Sequence, residues 1–450
     1  MDMDTYGYKY IKFIDYKSLT LWDVKRYVHE NISFKNSVKL REILHLHIAP
    51  ISKEEMLVNN WQIISKINFS GNLFLRGVNE AKTFKGNLNK VDSDTLIYSK
   101  INARHGCIYY HPKNSIPFGV SLEYPAYKID STKVCGEYLV MVLRSNFFKT
   151  ILNKKVTGIS KARLKSNEFL DTEIPLLTLT EQETLVSALK KRIKEATDLE
   201  LKAEQKERAI NSYLLDMLGI NKRYENDKDI LSNSYEYMRF VHCKNINRWD
   251  VYNKKSVVQS RVYKNTTFLN VIVKKPQYGA AYSSQVYDGK MRYIRITDIN
   301  EDGSLNEEKV SAKGYSDHYL LKENDFLIAR SGNTVGKTFL YKNKFGKAIF
   351  AGYLIRFKLD ETKVIPEYLL AYTKCSLYKE WIKANMRISA QPNINSQQYL
   401  DSPIILPPLE IQSKIVVYVG KQKGEISTLR QRAQTMRAEA LIEFENKIFG

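Results

Sequence analysis

A tandem duplication constrains this chain more than any other feature. KIDSTKVCGEYL (Lys128 to Leu139) returns as KLDETKVIPEYL (Lys358 to Leu369), an offset of 230 residues. The offset persists downstream. Phe169-Leu170-Asp171 meets Tyr399-Leu400-Asp401, and Leu176, Leu179 and Gln182 meet Leu406, Leu409 and Gln412. From Lys128 to Gln182 there are 16 identities in 55 gap-free positions. A sequence repeated in this way builds the same frame twice.

Upstream the register drifts. Trp22-Asp23-Val24 matches Trp249-Asp250-Val251 at an offset of 227, and DTLIYSKINARHGCIYY (Asp94 to Tyr110) aligns with DFLIARSGNTVGKTFLY (Asp325 to Tyr341) at 231. Small loop insertions explain such drift. The stretches between these blocks are dissimilar, as expected where a frame is shared and a read-out surface differs.

Each half ends in a helical pattern. Ala196, Leu199, Ala203, Ile210, Tyr213 and Met217 follow three-four spacing, with Lys206 filling one slot, and Ile426, Leu429, Ala433, Met436 and Ala440 repeat the stripe. Such heptad-like stripes predict two helices packed on each other. They run roughly from Thr180 to Leu218 and from Glu410 to Ile448, each reaching ~60 Å at 1.5 Å per residue. Gly219 and Gly450 stand where a helix stop is expected, and Gly420 and Gly424 weaken the second helix near its start. The globular parts read as mixed α/β. LIYSKI, CIYYH, YIRITDI, FLIARS and YLIRFKL suggest strands, and Glu137 to Leu152 and Pro366 to Asn385 suggest short helices.

Charge says where a partner binds. Lys plus Arg number 70 against 49 Asp plus Glu, a net +21. A surplus of this size points to a polyanion, above all nucleic acid. The two helical stretches carry 14 basic and 13 acidic residues, so +20 resides elsewhere. The globular halves are therefore the polyanion-binding parts, and the helices read as spacer and protein-protein surface. Cys107, Cys135, Cys243 and Cys375 form no CxxC pattern, so neither a zinc site nor a disulfide framework is expected. The N-terminus lacks the pattern of a signal peptide and no stretch approaches ~18 consecutive apolar residues, so a cytoplasmic protein without membrane contact is expected.

Several motifs invite chemistry and lack its full requirements. GNTVGKT (Gly332 to Thr338) has three residues between its glycines where a phosphate loop needs four, and FLYKN after it reads as strand. A polar hairpin presenting Arg330, Asn333 and Lys337 to DNA, or a structural glycine turn, fits it better. Asp360-Glu361-Thr362-Lys363 suggests a nuclease motif, but Ser131 replaces Glu361 in the other copy. His45-Leu46-His47 lacks the further ligands of a metal site. No cofactor loop or methyltransfer motif is present, so no cofactor or metal is expected.

YIRITDINEDG (Tyr293 to Gly303), DFLIARSGNTVGKTFLY and ISAQPNINSQQYLDSPIILPPLEIQ (Ile388 to Gln412) resemble the specificity subunits of type I restriction-modification systems. DTLIYSKINARHG and FLDTEIPLLTLTEQ are weaker counterparts in the first half, where Leu177-Thr178 replaces Pro407-Pro408. The resemblance implies two target-recognition domains, residues 1–178 and 220–408. Two antiparallel coiled-coil-like helices, residues 179–219 and 409–450, hold them apart in a pseudo-two-fold tandem repeat. It implies a non-catalytic DNA-binding subunit that reads a bipartite site in double-stranded DNA. Two modification (methyltransferase) subunits and restriction (translocase/endonuclease) subunits would join it. A DNA-modifying enzyme with its own active site, revealed by methylation or cleavage from the pure chain, is one alternative. A coiled-coil scaffold that binds DNA without sequence preference is another.

The candidate DNA-binding residues follow from this reading. In the second half they are Arg330, Ser331, Asn333, Thr334 and Lys337 in the hairpin, and Tyr278, Ser283 and Ser284 in YGAAYSSQVY. Gln391, Asn393 and Asn395 either read adenine or cap a turn. In the first half Lys100, Asn102 and Arg104 occupy the place of the hairpin loop, and Lys161 and Arg163 that of the amides.

A helix joining two reading halves should act as a ruler. Four residues inserted between Ala196 and Ile210 add ~6 Å and turn the stripe by ~40°. Base pairs rise ~3.4 Å, so the preferred spacer should lengthen by about one or two base pairs while both half-site sequences stay the same. Selection from a DNA library of varied spacers measures this. An unchanged spacer preference at full affinity refutes the ruler.

Overall fold

The computed structural model describes residues 34, 36–77, 79, 84–155, 163–220, 265–386 and 392–449. The Trp22 and Trp249 repeats, Cys243, Lys161, Gln391 and Gly450 lie outside them. The chain forms two compact units. Unit 1 takes residues up to Asp198 and from Arg432 onward, and unit 2 takes Leu199–Gln431. Each long helix therefore contributes to both units. The architecture is mixed α/β with two sheet-bearing regions and two long helices.

Unit 1 begins with β1 (Ser37–Lys39), β2 (Leu44–Leu46), β3 (Pro50–Ile51), α1 (Lys53–Val58), β4 (Ile63–Ile67), β5 (Leu73–Arg76) and β6 (Leu88–Val91). It continues with β7 (Thr95–Tyr98), β8 (Ile108–His111), β9 (Phe118–Ser121), β10 (Ala126–Ile129), α2 (Gly136–Arg144), α3 (Asn146–Lys155), α4 (Ser166–Leu170) and β11 (Glu173–Pro175). The first long helix, α5, runs from Leu179 to Met217. One sheet has the order β2-β10-β7-β8 and a second, five-stranded one the order β3-β6-β9-β4-β5. Leu96, Tyr98, Tyr127, Tyr138, Phe148 and Phe169 fill the core between the first sheet and its helices. Val186, Leu189, Ala440, Phe444 and Ile448 of the long helices join that same core.

Unit 2 repeats the frame. Its strands are β12 (Thr266–Phe268), β13 (Gln277–Tyr278), β14 (Ser284–Val286), β15 (Arg292–Ile294), β16 (Val310–Ala312), β17 (Phe326–Ala329), β18 (Thr338–Leu340), β19 (Ala348–Phe350), β20 (Leu354–Phe357) and β21 (Pro403–Ile405). Its helices are α6 (Pro366–Tyr372), α7 (Ser376–Asn385) and α8 (Ser396–Leu400), and α9 is the second long helix, Leu409–Phe449. The sheet β13-β20-β17-β18 matches β2-β10-β7-β8, and β12-β21 matches β1-β11. The inserted region differs. Unit 2 has the small pairs β14-β16 and β15-β19 where unit 1 has five strands.

The ladders correct the alignment of the hairpins. Leu96 faces Tyr110 and Tyr127, while Phe326 faces Leu340 and Phe357. All three positions differ by 230, not 231. The left-handed residues before the strands agree, Asp94 at φ 57° and Asn324 at φ 66°. The identity of Asp94 with Asp325 drew the sequence alignment one residue away. Asn and Asp share tolerance of positive φ, and a one-residue slip would turn every strand side chain to the wrong face. The helical readings also sharpen. Each short helical stretch divides in two, after Arg144 and after Tyr372.

The long helices run antiparallel within each unit. In unit 1, Arg192 pairs with Glu439 (3.5 Å) and Glu443, and Arg437 donates to Thr197 Oγ1 (3.1 Å). In unit 2, Glu207 pairs with Arg430 (3.0 Å) and Tyr213 stacks on Tyr418 with ring centroids 3.8 Å apart. Lys206 fills its slot in the stripe by pairing with Glu425. Ala196, Ala203 and Ala433 are fully buried. Helix α9 passes through Gly420 and Gly424 without interruption. Helix α5 stops at Gly219, φ 76°, where Gly219 and Ile220 donate back to Asp216 (2.8 Å) and Leu215 (2.9 Å). This left-handed glycine cap satisfies carbonyls the last turn leaves open.

One side chain fixes each long helix to its frame. Gln182, fully buried, accepts from the backbone N–H of Cys135 (2.8 Å) and donates to the carbonyls of Lys133 (3.2 Å) and Leu177 (2.8 Å). Gln412, also fully buried, accepts from Ile365 (2.8 Å) and donates to Lys363 (3.0 Å) and Pro407 (2.8 Å). Gln412→Ala strands these backbone groups in the interior and should cost about 1–3 kcal/mol. Gln182→Ala should cost a similar amount. Urea denaturation of the single variants measures both, and stability equal to the parent's would show that the amide can be replaced by water.

Candidate nucleic-acid interface

In unit 2 the hairpin β17–β18 carries the loop that the sequence singled out. Its backbone is stapled on two sides. Arg330 donates to the Tyr353 carbonyl (2.9 Å) and accepts from the Ile394 N–H (2.9 Å), and Gly332 donates to the Pro392 carbonyl (2.9 Å). The buried Tyr399 hydroxyl donates to the Ala329 carbonyl (2.8 Å) and accepts from the Gly336 N–H (3.1 Å). Gly336 is required twice over. Its φ is 84°, and a Cβ there would come within 2.8 Å of Ile382. The loop is thus a fixed platform, and glycine at these places serves backbone geometry.

Three segments meet on this platform. The Arg330 guanidinium lies over the Tyr278 ring, 4.9 Å from its centroid, and its Nε donates to Asn393 Oδ1 (3.4 Å). The Tyr278 hydroxyl donates to Ser396 Oγ (3.0 Å) and accepts from the Ser396 N–H (3.2 Å). No described residue takes up the two Nη groups of Arg330. A guanidinium held flat on an aromatic face, with its outer donors taken up by no described residue, is arranged for two-point recognition of acceptors. Asn333 is exposed at the loop tip.

Other candidates are placed differently. Ser331 is 5% exposed and sits inside the loop, where Thr334 Oγ1 donates to its carbonyl (2.9 Å). The Lys337 ammonium turns to Glu301 (3.0 Å) and the Ile299 carbonyl (3.4 Å). Asn395 caps α8, accepting from the Gln398 N–H (2.9 Å). Ser283 and Ser284 are exposed on the β14 side of the inserted region. Neighbours that the sequence reading missed are Tyr353, 57% exposed beside Arg330, and Glu301. Tyr353 was hidden in a segment read as plain strand, although the preceding Gly352 marks a bend.

Unit 1 reproduces the platform and changes its occupants. Lys100 donates its N–H to the Glu123 carbonyl (3.1 Å) and accepts from the Leu164 N–H (2.8 Å). Lys100 therefore stands where Arg330 stands, Glu123 where Tyr353 stands, and Arg163 where Asn393 stands. Arg163 pairs with Glu123 (3.0 Å) in a half-open setting. Asn102 precedes a short helical turn, Ala103–His105, that ends at Gly106 with φ 86°. Arg104 donates to His105 Nε2 (3.1 Å) and Asn153 Oδ1 (3.4 Å). Among the described residues there is no cluster of three His, Cys, Asp or Glu fit to hold a metal. Among them, too, no helix is long and apolar enough to cross a membrane.

Residues 264–421 match the family described as type I restriction modification DNA specificity domain. Over this stretch the chain is similar to type I restriction-modification specificity subunits. It is 20% identical over 306 residues to the type I restriction enzyme StySPI specificity subunit of Salmonella potsdam, covering 66% of this chain and 61% of that one. It is 22% identical over 157 residues to the EcoEI specificity subunit of Escherichia coli, covering 34% of this chain and 26% of that one. The match thus spans less than two thirds of either relative. A solved structure concerning complex assembly and conformational transition of the type I R-M system shares the fold. Its TM-score is 0.57 at 15% identity, covering 94% of this chain and 99% of that chain. The specificity domain so delimited contains Tyr278, the Arg330 loop, Asn393 and the start of α9.

An electrostatic cluster lies beside β18 in unit 2. Half-buried Lys374 donates to the Thr338 carbonyl (3.1 Å), and Lys423 donates to the Asp302 carbonyl (3.4 Å). Burial, then the neighbouring Lys423 charge, push the Lys374 ammonium down to about 7, against the opposing pull of Asp302 and Glu301. A lysine depressed in the folded state binds fewer protons there than when unfolded, so stability rises with pH between about 7 and the ordinary lysine range. Lys374→Met removes this contribution. Its stability relative to the parent should be greatest below pH 7 and fall as pH rises toward 10. Denaturant midpoints across that range check the slope, and parallel curves for the two proteins refute it.

Proposed function

We propose that this chain is the DNA-sequence specificity subunit of a type I restriction-modification complex. Each unit reads one part of a bipartite site. One observation carries the proposal: two copies of one backbone platform hold different side chains at matching positions, Arg330, Tyr353 and Asn393 against Lys100, Glu123 and Arg163. A constant frame with exchanged donors and acceptors is what reading two unlike half-sites requires. A single chain frees the site from the palindromy that identical subunits impose.

Within this reading Arg330 presents its outer N–H groups to a base edge, and Asn333 at the tip is a second base contact. Lys100, Asn102, Arg104 and Arg163 play the corresponding part in unit 1. Exposed serines and tyrosines, Ser283, Ser284 and Tyr278 among them, position the backbone. The charge surplus outside the helices supplies sequence-independent attraction to phosphate. The chain supplies address rather than chemistry. Two modification subunits bring methyl transfer, restriction subunits bring translocation and cleavage, and the complex works in the cytoplasm. The long helices, near neutral in charge, are the surface for those protein partners.

The test is selection from a DNA library randomised across both half-sites. Arg330→Ala or Asn333→Ala should weaken preference at one half-site only, by about 1–3 kcal/mol for a lost bidentate base contact. Lys100→Ala or Arg104→Ala should act on the other half-site. Equal loss at both half-sites from either pair would make these residues phosphate contacts or parts of the fold.

A further inference from the structure

The five-stranded sheet of unit 1 has no counterpart among the described residues of unit 2, and its edge bears on the Asn102–Gly106 loop. Strand β5 is outermost in the order β3-β6-β9-β4-β5. The turn that joins it to β4 is tightly built. Asn68 donates to the Asn72 carbonyl (3.0 Å), Gly71 donates to the Asn68 carbonyl (2.9 Å), and Asn72 donates to Asn68 Oδ1 (2.8 Å). Gly71 has φ 74°, and the Arg144 guanidinium occupies the space a Cβ would need there. This turn presents Phe69, 64% exposed, with its ring centroid 5.2 Å from that of His105. The Phe69 carbonyl also closes on Gly106, 3.3 Å from where a Cβ would stand. The hairpin tip is thus docked on the Asn102–Gly106 loop, beside Arg104.

The ribbon behind the tip has one sign of charge. From Ile63 to Arg76 there is no Asp or Glu, and Lys66 and Arg76 are both exposed. Lys66 lies over the ring of Phe74, 5.3 Å from its centroid, on the outward face of the β4–β5 pair. The register shifts between Ile64 and Lys66, a bulge that increases the local twist of the pair. An edge strand left open in this way ordinarily invites pairing with another chain, and surface cations deter it. A two-stranded ribbon is of a size that the major groove admits.

We propose that the β4–β5 hairpin is a second DNA-reading element of unit 1. It enters the groove next to the Lys100–Arg104 loop, with Phe69 as an apolar contact to a base edge such as a thymine methyl. Lys66 and Arg76 follow the phosphates. This inference rests on the proposed reading of unit 1 as a half-site reader and adds the element and residue that extend its recognition. The Phe69 side chain is exposed and supports no core, so its removal leaves the frame intact.

The experiment uses the full chain with its modification subunits and a library randomised across both half-sites. Phe69→Ala should lower preference about tenfold at one or two positions of the unit 1 half-site and leave the other half-site unchanged. Lys66→Ala and Arg76→Ala should weaken all sequences alike, each reducing the salt slope of log affinity by about one. If the parent selects a split site and Arg104→Ala alters one half while Phe69→Ala alters nothing, the hairpin inference falls and the proposed function stands. If Phe69→Ala lowers complex assembly or all affinities equally, Phe69 is not a base contact and the inference also falls. If the parent selects no sequence, the proposed function itself falls.

Discussion

The rest of the structure depends on a buried amide. In each unit one glutamine near the start of a long helix accepts a backbone N–H and donates to two backbone carbonyls from the globular frame. A carboxylate cannot donate and an alkyl chain can do neither, so few side chains satisfy all three groups. The site joins the loop before a short helix, the loop before the long helix and the long helix itself. Around it, Tyr138 and Tyr368 send their hydroxyls to the carbonyls of Pro175 (3.0 Å) and Ile405 (2.6 Å). Orientation of a long helix relative to its own sheet is thereby set by directional bonds and not by apolar packing alone. Any surface on that sheet then inherits a fixed attitude to the helix of its own unit.

The two copies show which parts of a frame are free to change. Arg356 and Asp325 form a buried ion pair at 3.1 Å in unit 2. The guanidinium further donates to the carbonyls of Leu320 (2.7 Å) and His318 (3.2 Å) and to the side chain of Gln277. At the matching places unit 1 has Ala126 and Thr95, both buried. Losing one partner of such a pair leaves an uncompensated charge and costs about 3–5 kcal/mol. Exchanging both partners for small residues avoids that cost, and the copies differ in this concerted way. The extra donors on Arg356 reach into the inserted region around His318, which unit 1 replaces by strands. The ion pair belongs to the insert that unit 2 alone must hold.

Much of the frame was legible in the sequence, because repetition doubles every weak signal. The 230-residue offset, the helical stripe and the strand-like segments each appeared twice. Registers were less legible. Asp94 looked like the partner of Asp325, whereas backbone conformation pairs it with Asn324, and residue identity carries no φ angle. The candidate surface was legible in part. Arg330, Asn333 and Lys100 stand on the platform loops, but nothing in one dimension shows that Lys337 turns back to Glu301 or that Asn395 spends its side chain on a helix cap. Glu123 and Tyr353 were missed because they act from a third segment. Phe69 was missed because its setting beside His105 is created by the five-stranded insert of unit 1, for which the described residues of unit 2 offer no second copy to compare.

The helical seam adds a separate constraint. A stripe built from small residues allows close approach but specifies register weakly, since alanines present little relief to interlock. Polar contacts supply what the alanines lack. Lys206 meets Glu425 and Gln422 (3.2 Å) within unit 2, and Arg192 meets two glutamates one turn apart within unit 1. A polar residue within a seam gains little stability yet disfavours shifted alignments, which would leave it unpaired. The lysine that interrupts the apolar stripe in the sequence is therefore part of the mechanism that aligns the helices. Within unit 2 the seam is aligned by the Lys206 pair and, further along, by Tyr213 stacked on Tyr418. Within each unit such pairs resist sliding of one helix along the other, because a shifted register would leave the charged side chains unpaired.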